Sequence, residues 1–106
     1  MSFLIRKEQE SLVVELTDLT TDLGPISQEL SQEFRHLILD LSKFSAVSEE
    51  LLQKFTNFGR TAVQNSSFVI MCQMEYTEDF PVVPTLQEAF DVIEMEEIER
   101  QLDLEL

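Results

Sequence analysis

Cysteine, glycine, proline and positive charge are all scarce in this chain of 106 residues. Its one cysteine, Cys72, excludes an internal disulfide and any multi-cysteine metal site. Two glycines cannot build a glycine-rich phosphate loop or a nucleotide fingerprint, and together with three prolines they leave little room for disorder. Seven lysines and arginines stand against 21 acids, a formal charge of −14. Nucleic acid and anionic membrane are both gripped through Lys and Arg, so this balance speaks against either as a partner. No apolar run is long enough to span a bilayer, and the N-terminal MSFLIRKEQE lacks the apolar stretch of a signal peptide. The expected address is the cytoplasm, and the expected partner is a protein with a basic or mixed face.

What is present is the material of one globular domain. Hydrophobic residues make up 43% of the chain, with eight phenylalanines, enough for a single core at this length. Linkers, internal repeats and low-complexity tracts are not found, so residues 1–106 read as one domain whose last residues, 102–106, fray. Apolar runs of strand length occur at 3–6 (FLIR), 11–17 (SLVVELT), 37–41 (LILDL) and 68–72 (FVIMC), with a weaker one at 80–83 (FPVV). The runs at 37–41 and 68–72 hardly alternate, which predicts strands covered on both faces. The EQES turn predicts a hairpin between the first two. Pro81 and Pro84 cannot donate to a ladder, so the fifth strand belongs at a sheet edge.

Helical periodicity fills the gaps. Leu23, Ile26, Leu30 and Phe34 recur at helix spacing, with Pro25 fit for a first turn after Gly24. In the second helix Leu51, Leu52, Phe55, Phe58, Gly59, Ala62 and Val63 share one face, while Glu50, Gln53, Lys54, Asn57, Arg60 and Gln64 point away. A third helix spans roughly residues 85–102, and its apolar residues divide. Leu86, Ala89, Phe90 and Ile93 share one face; Met95, Ile98 and Leu102 share another, rotated by more than about 100°. Either the helix bends near Glu94, or its second half offers an apolar stripe to a partner or to a second copy of the chain. Strand, strand, helix, strand, helix, strand, strand, helix is an α/β order, a mixed sheet of about five strands flanked by helices.

HLILDLSKFSAVSEELL (36–52) resembles the third strand and following helix of a STAS domain, the fold of anti-sigma factor antagonists and sulfate-transporter tails. FVIMCQ resembles the fourth strand of that family, and FPVVPTLQEAFDVI its closing strand and helix. The likeness spans nearly the whole chain and is one of strand and helix pattern. It implies a regulatory protein–protein interaction module. Family members carry an Asp-Ser-Ser-Gly or Asp-Ser-Thr-Gly turn before the second helix, and a partner kinase phosphorylates its serine or threonine. Here Val47-Ser48-Glu49 falls near that turn, but Asp and Gly are missing and the turn is shorter. The family also has a helix between its fourth and fifth strands, where this chain has only MEYTEDF (74–80). A full parallel crossover needs about ten residues or more, so the helix is expected to shrink to a turn or the fifth strand to pair unusually.

Ser48 is placed to cap the second helix. Its hydroxyl can accept from a backbone N–H two or three residues on, and Glu49 and Glu50 then sit near the positive end of the helix dipole. Phosphate at Ser48 would meet those two carboxylates, so capping outweighs phosphorylation. The turn and helix start (Ser45, Ser48, Glu49 and Glu50) and the stripe of Met95, Ile98 and Leu102 are the candidate partner-binding residues. His36 is the lone histidine and opens a strand, which points to a structural or edge role; no nucleophile–base arrangement assembles around it. Cys72 reads as a small buried hydrophobe, and Asp40 as an acid that bonds nearby backbone at a strand end. In EMEEIERQLDLEL, Glu96 and Arg100 are spaced for a helical pair, and the remaining acids read as a solvated face rather than a cation site.

The resulting expectation is a non-enzymatic interaction module that needs no cofactor or metal. Two rival classes stand beside it: an acidic inhibitor that mimics nucleic acid in a basic groove, and a small enzyme or ligand-binding α/β domain.

Overall fold

In the computed structural model, described for residues 3–19, 22–63, 66–73 and 81–105 with side chains to 103, the chain opens as a hairpin. Strand β1 (Phe3–Glu8) pairs antiparallel with β2 (Ser11–Leu16), and Gln9 and Glu10 make the turn with φ of 47° and 65°. Two-residue hairpins of this hand need positive φ at both positions, a conformation that side chains other than Gly and Asn resist. The turn is tied down instead. The Glu10 carbonyl accepts from the backbone N–H groups of Arg35 and His36, at the start of the next strand.

From β2 onward the sheet is parallel. Strand β3 (His36–Asp40) lies between β2 and β4 (Phe68–Met71), and β5 (Val82–Val83) pairs parallel with β4. The order is β1-β2-β3-β4-β5, so β3 is central and β5 is an edge strand, where its flanking prolines are tolerated. Every residue of β3 and β4 is buried, as strands covered on both faces require. Residues 74–80, the expected place of the shortened crossover, lie outside the described residues. Beyond that segment, β5 joins the sheet in the ordinary parallel sense.

Alternate residues of the strands feed two separate cores. Leu12, Val14, Leu37, Leu39 and Ile70 pack under helices α1 (Gly24–Ser27) and α2 (Glu49–Ala62). Val13, Ile38, Val69 and Met71 pack under α3 (Leu86–Glu105) through Ala89, Phe90 and Ile93. The architecture is therefore three-layered, helix on sheet on helix, with a Cα radius of gyration of 13.3 Å that suits one domain of this length.

The first helix departs from expectation. Leu23 and Ile26 are buried, but helical backbone stops at Ser27. A local turn takes over: the Ser31 hydroxyl accepts from the Phe34 N–H at 3.1 Å, and the Ser31 N–H donates to the Phe34 carbonyl. Serine offers the backbone an alternative to the helix ladder, and here it wins. Leu30 and Phe34 still lean on the core without being helical. By contrast, α2 buries the expected face, with Leu52, Phe55 and Gly59 inaccessible and Gln53, Lys54, Asn57 and Arg60 exposed; Gln64 lies outside the described residues. Gly59 is required by proximity, because a Cβ there would sit 2.3 Å from the Phe68 ring.

Candidate functional site

The loop after β3 is organised by its own side chains. Asp40 is buried, and its Oδ1 accepts from the Ser42 N–H at 2.9 Å and the Ser42 hydroxyl at 2.6 Å, the turn-organising role expected of it. Lys43 reaches back to Glu15 on β2 at 3.2 Å. Val47 is buried and anchors the far end of the loop. Ser48 has extended backbone, and its hydroxyl accepts from the Leu51 N–H at 3.2 Å, so it is the N-cap of α2. Glu49 and Glu50 occupy the first turn and are exposed, as is Ser45. The result is an acidic knuckle at the C-terminal ends of the parallel strands, shaped by its own hydrogen bonds.

The stripe on α3 is a different surface. Thr85 Oγ1 accepts from the Glu88 N–H and caps this helix, which then runs back to the opposite end of the sheet. Ala89, Phe90 and Ile93 are buried beneath it, whereas Met95, Ile98 and Leu102 are 63%, 52% and 55% exposed. Among the described residues only Leu4 on β1 joins them as a large exposed hydrophobe. At about 100° per residue the stripe points almost directly away from the buried face, so the helix is apolar on two sides. Helical backbone continues to Glu105. The knuckle and the stripe thus lie on opposite faces of the sheet and toward opposite ends, and the structure does not bring them together.

The contacts that hold α3 down at that second end leave no pattern in the sequence. His36 is 1% exposed, and its Nδ1 accepts from the Ser67 N–H at 3.0 Å. That acceptance fixes the neutral tautomer, with the proton on Nε2 facing Glu97 Oε1 at 2.8 Å. The same Glu97 oxygen takes Arg35 at 2.7 Å and Arg100 at 3.3 Å, while Arg100 also donates to the Ser67 hydroxyl at 2.9 Å. Arg100 therefore pairs with Glu97, one turn back at three residues, rather than with Glu96. Its tertiary partner Ser67 pulls it toward the sheet, the side on which Glu97 lies. Burial lowers the His36 pKa from its ordinary 6.5 against the upward pull of Glu97; Arg35 and Arg100 add to the lowering, and Glu10 opposes it.

This cluster borders a cleft of about 330 Å³ between the hairpin turn and α3, lined by Gln9, Glu10, His36, Phe90 and Glu94 among others. Both imidazole nitrogens are engaged, and the one carboxylate oxygen in reach already has three donors. The arrangement clamps helix to sheet. Since β3 is the central strand, the structural alternative for His36 is the one that holds, not the edge one. A wider groove of about 620 Å³ runs between Leu30, Ser31, Ala62 and Val63, and its charged member, Arg35, is committed to Glu97 and Glu10. Cys72 is 1% exposed, and burial raises its thiol pKa above the ordinary 9.0, which suits an inert packing residue. Among the described residues no cluster of His, Cys, Asp or Glu is arranged to hold a metal ion, and no helix is long and apolar enough to cross a membrane.

No family model, curated protein or solved structure gives a significant match to this chain.

Proposed function

We propose that the chain is a non-enzymatic protein–protein interaction module acting in the cytoplasm, a degenerate relative of the anti-sigma factor antagonists that has kept the STAS layout and lost the phosphorylation switch. One observation carries the reading. Met95, Ile98 and Leu102 form an exposed apolar row on a helix whose other side already supplies the core. An apolar row with no structural duty is costly in water and marks a recognition surface. The partner is a protein with a basic or mixed face, matched to a chain of net charge −14. Among the described residues, the hairpin leading into parallel strands and the helices on both faces of the sheet support the family layout.

At the knuckle, Ser48 is occupied as a cap, and Glu49 and Glu50 are fixed charges at the helix start. They stand where relatives acquire negative charge reversibly. Incubation with candidate kinases should therefore leave Ser48 unlabelled, and robust phosphate there would overturn that part of the proposal. The binding role is tested by affinity capture from native lysate with mass spectrometry, comparing the natural chain with Met95→Asp and Ile98→Asp variants. A partner captured by the first and lost from the variants is the expected result. Identical capture sets would sink the role of the stripe. A set of nucleic-acid-binding enzymes released by salt alone would favour the acidic mimic.

A further inference from the structure

Met95, Ile98 and Leu102 are spaced three and four residues apart, the a, d, a rhythm of a heptad. In that lettering the flanking positions carry Glu94 and Gln101 on one side and Glu99 on the other, all exposed. The f position, which faces away from a coiled-coil seam, holds Ile93 and Arg100, and both turn to the sheet side. Arg100 is the sole cation between residues 86 and 105, and its engagement with Ser67 and Glu97 removes it from the outward face. The preceding a and d positions are Glu88 and Asp91, so the seam begins at Met95 and extends about 10 Å along the axis.

Resting on the partner-binding reading above, we infer that the outward face of α3 docks a basic amphipathic helix, one that sets its apolar residues against Met95, Ile98 and Leu102 and its lysines or arginines against Glu94 and Glu99. Charge decides the occupant. A second copy of this chain would set Glu94 against Glu99 on both flanks of a parallel seam, or Glu99 against Glu99 in an antiparallel one, which opposes self-pairing; a helix with basic flanks replaces that repulsion with attraction. A seam of three residues is far shorter than a free-standing coiled coil needs, so the contact is weak, fast and salt-dependent.

Two helical peptides test this, with identical leucines at a and d and either lysine or glutamate at e and g. Their binding to the full chain is read by fluorescence anisotropy at low and physiological salt. The lysine peptide should bind and the glutamate peptide should not. The triple variant Met95→Ser, Ile98→Ser, Leu102→Ser leaves the charge unaltered and should weaken binding about tenfold or more, the loss of an anchor or two. Glu94→Lys with Glu99→Lys should reverse the preference between the peptides. Lysine-peptide binding that ignores the triple substitution would reduce the effect to bulk charge and overturn the inference. Absence of binding would do the same, and so would a dimer in sedimentation that the triple variant abolishes. In the capture experiment, a stripe-dependent partner without a basic helix overturns this inference while leaving the partner-binding reading intact. Stripe-independent capture removes both.

Discussion

Helices α2 and α3 cover opposite faces of one sheet, yet they are built on different plans. In α2 every apolar side chain serves the core, the polar ones face water apart from the buried Thr56, and Ser48 and two acids close the N-terminus. α3, by contrast, carries two apolar sides, one beneath it and one in solvent, with acids between. The first helix satisfies folding and leaves nothing over. The second has a surplus, and it is held to the sheet at its far end by polar contacts through Glu97 rather than by further apolar burial. In the proposed reading that surplus apolar surface serves a partner, and the polar clamp leaves the outward face free for it.

Substitutions should separate the two plans by size of effect. Phe55→Ala in α2 empties a fully buried aromatic site, and urea denaturation should show a loss of about 3–5 kcal/mol. Next comes Gly59→Ala. The added methyl gains helix propensity but drives into the Phe68 ring, and the net loss should be about 1–3 kcal/mol in the same assay. An unchanged midpoint would mean that α2 can back away from β4, weakening the contrast between a tightly seated helix and a clamped one.

The clamp should respond to acid. The unfolded chain titrates His36 near 6.5 and the folded chain below that, so in the interval the unfolded state binds more protons. The stabilisation from neutral His36 is then fully present above pH 6.5 and is lost as pH falls from there through the folded value. The slope cannot exceed about 1.4 kcal/mol per pH unit, one proton's share. His36→Gln should flatten this part of the curve relative to the natural chain. A curve of unaltered shape would remove His36 from the clamp.

Ser48→Ala should have a smaller effect, about 1 kcal/mol, the value of a helix cap, and a much larger loss would point to a role for the hydroxyl beyond Leu51. Smallest of all, Met95→Ser, Ile98→Ser and Leu102→Ser should each change stability by no more than about 0.5 kcal/mol, as exposed positions do.

The same contrast explains which parts of the molecule are legible in the sequence. Helix α2 can be read because its apolar residues keep one face and its cap is local. Strands β3 and β4 can be read because unbroken apolar runs have few other places to go. The stripe on α3 is visible for the opposite reason, an apolar set out of phase with its neighbours. The first helix misleads because Leu23, Ile26, Leu30 and Phe34 keep helical time while Ser31 diverts the backbone. The His36 clamp cannot be read at all. Glu10, Arg35, Ser67, Glu97 and Arg100 meet only through the fold, and helical spacing alone allows Arg100 either Glu96 or Glu97. Of the two candidate surfaces, each is legible within its own element, but their placement on opposite faces depends on the crossovers.

The most direct test of α3 as a surface beyond folding is one titration of the lysine-flanked peptide into the natural chain and the triple serine variant, at equal urea midpoints. The account predicts binding to the first that falls about tenfold or more in the second. Equal affinity for both would contradict it.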